Sequence, residues 1–250
     1  MDIIQAVILG IVQGITEWLP ISSEGQAVLI ATSLFGITPL EALSYAIFLH
    51  LGTMVAVLIK YRHTWYEILM IRDIDLLTIL IITTICTGIT AVPLYFLLRH
   101  TFASGTAVTL VVGALLIVTG IILRVKKGGF KDIKAITRPD MIILGLVQGF
   151  SILPGISRSG MTLSTLLLRG VRQDIALTVS FLISVPPVIG VIILDWGNAP
   201  ITPEIGCILV TTAAIVGFLM MELLLKFAQS VKFSLFCIVF GLITVASGVL

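Results

Sequence analysis

Six stretches of this chain, 43–59, 76–98, 107–123, 175–194, 205–225 and 233–250, leave a soluble fold no way to close. Glu222 is the only Asp, Glu, Lys or Arg in all six. Each is of the length a helix needs to cross a bilayer, about 17 to 25 residues. The charged residues, 11% of the sequence, are too few to cover a soluble protein, where about 25% is usual. Lipid is therefore the expected solvent for most of this surface. The apolar segments run to the last residue, so the pattern is not that of a soluble domain with one anchor. Met1 is followed by Asp2 rather than by a basic stretch, so no cleavable signal is expected.

Charge collects between these runs. Lys60, Arg62 and Arg72 flank one gap, and Arg99 and His100 mark another. The longest polar stretch, 124–140, carries six Lys or Arg and two Asp. The excess of basic residues in cytoplasmic loops places that loop in the cytoplasm. A net charge of +2 without a basic stripe gives no support to nucleic-acid binding. Cys86, Cys207 and Cys237 lie in apolar runs without a CxxC spacing and are expected to be small buried hydrophobes.

The chain also repeats itself. GIVQGITEWLPISSEG, 10–25, is echoed by GLVQGFSILPGISRSG, 145–160, at a constant offset of 135 residues that pairs Gln13 with Gln148, Gly14 with Gly149 and Ser22 with Ser157. A period this long is a half-protein unit. The whole chain, 1–250, then reads as one membrane domain with halves of about 1–123 and 141–250, joined by the basic loop 124–140. In each copy a short apolar segment runs into a Pro-, Gly- and Ser-rich break, followed by another short segment and a full-length helix. Segments near 3–19 and 141–153 are expected to enter the membrane and turn back. Broken backbone at membrane depth is tolerable only inside protein or beside a cavity, and paired breaks point to a central binding site.

The first break holds Gln13 and Glu17, four apart and on one helical face, then Ser22, Ser23, Glu24, Gly25 and Gln26. An acid within an apolar segment is costly and suggests function; an interfacial acid beside Trp18 is the alternative. The second break, PGISRSG, offers Gly155, Ser157, Arg158, Ser159 and Gly160. Glycines let backbone approach a ligand, consecutive amides form anion nests, and a guanidinium grips two phosphate oxygens at once. A pairing of Arg158 with Glu17 is compatible with that role. Together these residue types suit a phosphoryl group. His50, alone in its apolar run, reads as a hydrogen-bonded structural histidine, and Pro186 and Pro187 are expected to kink or split the helix that contains them.

At this point the chain resembles the undecaprenyl-diphosphate phosphatase family of membrane enzymes. The resemblance is carried by QGITEWLPISSEGQ at 13–26, LPGISRSGMTLSTLLLRG at 153–170 and FLISVPPVIG at 181–190. It implies an all-α polytopic membrane protein with two inverted repeats and re-entrant or discontinuous helices meeting at a pocket. It implies hydrolysis of undecaprenyl diphosphate, a C55 polyprenyl diphosphate, to the monophosphate, which recycles a glycan carrier lipid at the cell membrane. The family's paired acid-or-Gln motif falls on Gln13 and Glu17, its serine loop on Ser22 and Ser23, and its arginine on Arg158, flanked by Ser157 and Ser159. A divalent cation, magnesium or calcium, is implied, with Glu17 as its expected ligand, and a homodimer is allowed. Two positions depart from the family: Gln13 where Glu is frequent, and Gln26 where the loop commonly ends in His. Glutamine cannot serve as a base, so Glu24 next door is the acid that could compensate.

The expected arrangement has Glu17, Ser23 and Arg158 as catalytic groups. Gln13, Ser22, Glu24, Gln26, Gly155, Ser157, Ser159 and Gly160 surround the substrate. Ser23 attacks phosphorus or orients a water, and Glu17 or Glu24 takes the proton. A transporter or flippase for a lipid phosphate would share the repeat architecture without hydrolysis.

Overall fold

A computed structural model describes residues 1–101, 105–122, 124, 129–198, 200–227 and 233–249. Among the described residues the regular structure is helical apart from one isolated β-bridge, Lys131 to Val171. The first half contains α1 (Ile3–Thr16), α2 (Ser23–Ser33), α3 (Pro39–Lys60), α4 (Arg62–Leu69), α5 (Ile74–Thr101) and α6 (Gly105–Ile122). The second contains α7 (Arg138–Gly149), α8 (Arg158–Leu168), α9 (Gln173–Leu182), α10 (Val185–Asp195), α11 (Pro203–Phe227) and α12 (Phe233–Val249). Part of the basic loop, 125–128, lies outside the described residues, as does the Cys237 side chain.

Four stretches are long and apolar enough to cross a membrane: Pro39–Lys60, Ile74–His100, Gln173–Asp195 and Pro203–Leu223. Helices α6 and α12 are apolar, at 18 and 17 residues. The expected splitting at Pro186–Pro187 occurs just before them, at Ser184, where α9 ends and α10 begins. Helix α4 falls in a stretch read from the sequence as a gap between spans. Ile85 and Ile89 on α5 and Ile215 and Leu219 on α11 are each more than 60% exposed. Spaced by one helical turn, they form outward apolar stripes that only lipid would cover at low cost. Cys207 is exposed too, a correction to the expectation of burial, whereas Cys86 is buried.

The repeat offset of 135 recurs in the local structure. Asp2 and Thr137 each close a capping box at the start of α1 and α7. Ser22 and Ser157 each cap a half-length helix, accepting from the N–H of Gly25 and Gly160. These caps satisfy first-turn amides that would otherwise be orphaned. Helices α2 and α8 thus have matching bounds, 23–33 and 158–168.

Packing exchanges the short helices between halves. A Cβ on Gly10 would meet Thr212 at 2.7 Å, and one on Gly14 would meet Gly217 N at 2.7 Å, so α1 and α11 run in the same direction at backbone contact. A Cβ on Gly145 would meet Thr83 O at 2.5 Å, and one on Gly149 would meet Thr90 Oγ1 at 1.6 Å, so α7 runs with α5. Thr90 Oγ donates to the Leu146 carbonyl across that seam, 3.0 Å. Small residues at the seam let backbones approach, as membrane helices require when burial alone gives no driving force. Helix α3 runs with α11, because a Cβ on Gly52 would meet Ala213 and one on Gly217 would meet Thr53. Helix α5 runs against α3: Arg99, at the end of α5, bonds Ser44 near the start of α3. Hence α1 and α7, repeat equivalents, point in opposite directions. Helices α6 and α12 cross at Gly113 and Gly241.

These directions collect charge at one end of the bundle. Lys60, Arg62, Arg72, Arg124, Lys131, Lys134, Arg138, Arg169 and Arg172 lie there, at the ends of α3, α6 and α8 and the starts of α5, α7 and α9. Arg169 and Lys131 pair with the buried Asp140 at the start of α7. The other end holds Arg99, paired with Asp195.

Candidate active site

Helix α1 ends, and α2 begins, halfway through the bundle; so do α7 and α8. The two breaks touch. Ser22 sits in the left-handed region at φ 59°, and its Oγ accepts from Gly155 N–H of the other break at 2.9 Å. Gly155, with φ 107°, would place a Cβ 2.6 Å from Val112 O, so only glycine fits that turn. Its carbonyl accepts from Thr119 Oγ at 3.1 Å, anchoring the second break to α6.

Position 23 of the first repeat matches position 158 of the second, and each is the first residue of its half-helix. The duplicated frame therefore presents Ser23 on one side of the site and Arg158 on the other. Both helix N-termini aim at the same space, and each brings partial positive charge to it.

Glu17 lies between them, 4% exposed. Arg158 Nη2 pairs with its Oε1. Its Oε2 accepts from Ser23 Oγ at 2.6 Å and from Gln13 Nε2 at 2.9 Å, and His50 Nε2 stands 3.4 Å away. A second guanidinium nitrogen of Arg158 donates to Ser180 O at 3.1 Å, and the group lies 5.9 Å from the Trp18 ring. Trp18 itself is buried, donates to Gly217 O at 2.7 Å and packs edge-on against Phe181. That rules out an interfacial belt for the Glu17–Trp18 pair.

A small cavity opens on Glu17, Ser22, Ser23, Glu24, Ser157 and Arg158, with His50 and Ser151 in its wall. Glu24, His50, Ser151 and Arg158 also face a larger cavity. This runs between α5 and α10 past Ala91, Val92, Pro187 and Val191 to Tyr95 and Leu194. Its walls are mainly apolar, and it leads away from the basic end of the bundle.

The expected residues divide accordingly. Glu17, Ser22, Ser23, Glu24, Ser157 and Arg158 share one wall, and Gln13 reaches it through Glu17. Gln26, Gly155, Ser159 and Gly160 stand behind it: Gln26 Nε2 donates to Ile21 O at 3.4 Å and Ser159 Oγ to Leu19 O at 3.0 Å. These four position backbone rather than face the cavity. The sequence alone makes His50 structural. Its Nδ1 does meet Ala46 O at 2.8 Å, but Nε2 faces Glu17. No spacing signal announces it, since its neighbours at the site come from other helices.

The expectation of Glu17 as a metal ligand fits this arrangement poorly, because both carboxylate oxygens are already engaged. Among the described residues no group of three or more His, Cys, Asp or Glu is arranged to hold a metal ion. Buried acceptors without a partner do occur beside the site: Glu24 Oε1, Gln148 Oε1 and Gln13 Oε1.

The sequence pattern of the family described as bacitracin resistance protein BacA matches residues 6–245. A Methanothrix thermoacetophila protein named undecaprenyl-diphosphatase is 49% identical over 98% of this chain and 97% of its own length. Proteins of the same name from Methanopyrus kandleri and Saccharolobus solfataricus are 38% and 34% identical, over 94% and 99% of this chain and 92% and 96% of theirs.

Proposed function

The chain belongs to the bacitracin resistance protein BacA family, and from that premise we propose that its cavity removes the terminal phosphate of undecaprenyl diphosphate, leaving undecaprenyl phosphate. The observation that carries this reading is the meeting of Glu17, Ser23 and Arg158, from opposite repeats, where a small polar cavity opens into a long apolar one. The residue types of the first suit a phosphoryl group. A prenyl tail suits the second, and each methylene kept from water contributes about 0.8 kcal/mol.

The polypeptide supplies the parts of a phosphoryl transfer. Ser23 Oγ is within hydrogen-bond reach of a carboxylate that can take its proton, the pairing a serine nucleophile needs. In the reaction Ser23 Oγ bonds to the terminal phosphorus and its proton passes to Glu17. The anhydride P–O bond breaks and undecaprenyl phosphate leaves; water then hydrolyses the phosphoserine. If Ser23 instead orients a water, Glu17 takes the water's proton and phosphate forms in one step. In both routes the Arg158 fork and the first turns of α2 and α8 stabilise charge on the transferring group. A divalent cation, when bound, would offset diphosphate charge.

The helix directions support two inverted repeats, with α1–α2 and α7–α8 as re-entrant hairpins entering from opposite faces. The positive-inside rule puts the basic end in the cytoplasm. The apolar cavity leads the other way, so the site is reached from the outer leaflet of the cell membrane.

Purified protein in detergent micelles should release one phosphate per undecaprenyl diphosphate when supplied with a divalent ion, and soluble phosphate esters should be far poorer substrates. Lipid binding without any phosphate release would replace hydrolysis with transport of a lipid phosphate.

A further inference from the structure

We propose that His50 is a catalytic acid and base of this site. It protonates the oxygen on which undecaprenyl phosphate departs, and it later takes a proton from the water that clears Ser23. The ring is fixed by what it touches. Nδ1 lies 2.8 Å from the Ala46 carbonyl, one turn earlier on α3. A carbonyl carries no hydrogen, so Nδ1 is the donor there. Nε2 is left to face Glu17 Oε2 at 3.4 Å. A bare ring nitrogen against a bare carboxylate would oppose two lone pairs, so the contact is favourable only with a hydrogen between them. The same oxygen accepts from Ser23 Oγ at 2.6 Å. The hydrogen of Ser23 and the one beside His50 therefore converge on one carboxylate.

Position decides what His50 does. Glu24, His50, Ser151 and Arg158 are the residues that line both cavities. With the terminal phosphate in the polar cavity and the tail in the apolar one, the anhydride oxygen crosses this shared wall. Arg158 does not give up a proton, and Ser151 spends its hydrogen on the Gln148 carbonyl at 2.7 Å. Glu24 is the rival acid, with no partner on Oε1. The charged groups around the ring are Glu17 from α1, Glu24 from α2 and Arg158 from α8, while α5, α7 and α10 line the cavities with no charged residue. In the reaction Ser23 Oγ bonds to the terminal phosphorus as its proton passes to Glu17. The anhydride P–O bond breaks, and Nε2 gives its proton to the oxygen that leaves on undecaprenyl phosphate. Nε2, now bare, takes a proton from the water that attacks the phosphoserine, and Glu17 returns the first proton to Ser23 Oγ. Both groups end as they began. Gln26 stands behind the wall and can pass no proton, so the ring that the loop lacks comes from α3.

This rests on the diphosphate reading, and one experiment separates the two. Phosphate release from undecaprenyl diphosphate in micelles is measured for the intact wild-type protein, His50→Gln, His50→Ala and Glu24→Gln. Binding of an undecaprenyl methylenediphosphonate, which cannot be hydrolysed, checks that each site is formed. Proton transfer by a side chain contributes about 10²- to 10⁴-fold, so His50→Gln, which can hydrogen-bond but pass no proton, should lose at least roughly 10²-fold in kcat. Its KM and its analogue binding should stay within about threefold of wild type, the pattern of a group that acts only in the transition state. Imidazole added to His50→Ala should raise its rate by about tenfold or more, and pyrazole, a ring of the same size that is almost non-basic, should not. A kcat for His50→Gln within about threefold of wild type would overturn the proposal. So would equal revival by both rings, revival by neither, or a loss confined to Glu24→Gln. Analogue binding that weakens as much as kcat/KM would make His50 a phosphate ligand and overturn it too. Wild-type protein that binds the analogue and releases no phosphate would remove the hydrolase reading and this proposal together, whereas release that survives His50→Gln removes this proposal alone.

Discussion

Replacing Arg158 by lysine tests whether charge or shape matters at the site. The guanidinium spans two anchors, Glu17 and the Ser180 carbonyl, and a lysine keeps the charge but not the fork. The variant should hold one of the two anchors and one phosphate oxygen instead of two. Hydrogen bonds to charged groups contribute about 1.5–3 kcal/mol each, so losing two costs roughly 3–6 kcal/mol. At about 1.4 kcal/mol per tenfold, kcat/KM should fall by roughly 10² to 10⁴. Phosphate release from undecaprenyl diphosphate in micelles measures this. Thermal unfolding followed by tryptophan fluorescence should show the fold retained, because Glu17 keeps a cation beside it and is not left as a buried orphan charge. A folded Arg158→Lys protein with more than about a third of wild-type activity would refute the fork and reduce Arg158 to a counter-ion for Glu17.

Ser23→Ala should abolish turnover and any phosphoenzyme trapped by acid quench if Ser23 is the nucleophile; a loss under about tenfold with no phosphoenzyme would assign the attack to water. Gly149→Val should prevent folding, since its Cβ would fall 1.6 Å from Thr90 Oγ1, whereas Gly88→Ala, with nothing within 4 Å, should be neutral; detergent size-exclusion profiles distinguish them. Asp140, buried yet held at a pKa of about 2 against an ordinary 3.8 by hydrogen bonds from Thr137 and Arg169 and by Lys131, should contribute stability that is complete above about pH 4 and is lost as pH falls toward 2. Asp140→Asn should therefore lower stability at pH 7 by about 2 kcal/mol and flatten the acid limb of the melting curve, and an unchanged acid limb would place the acid sensitivity elsewhere.

Much of this was legible in the residues because each signal was local. Apolar runs marked the spans, Pro186 and Pro187 foretold the break before α10, and the echo of 10–25 in 145–160 foretold matched half-helices. An acid and an arginine at two apolar breaks were expected to meet, and they do. What sequence could not supply was relation between distant elements. His50 carries no spacing clue, yet its α3 site brings it to Glu17. Gln26 follows the cap of α2, but helix phase turns it behind the cavity wall. Glu17 looked free for a metal because nothing in its neighbourhood reveals that Ser23, Gln13 and Arg158 fill its oxygens.

The exchange of short helices between halves gives the two repeats unequal histories during synthesis. Helix α7 emerges after its partner α5 and can dock at once, Gly149 onto Thr90. Helix α1 must wait for α11, because Gly14 packs on Gly217, about 200 residues later. At about 5 to 20 residues per second, that delay is roughly 10 to 40 s. Throughout it the Gly10–Gly14 face of α1 lacks the partner it packs on, although Ser23 of α2 and His50 of α3 are already there to meet Glu17. A nascent chain of this kind needs shelter for its first hairpin at the insertion machinery until the penultimate helix arrives, and truncation before α11 should send the N-terminal half to proteolysis rather than leave half a site.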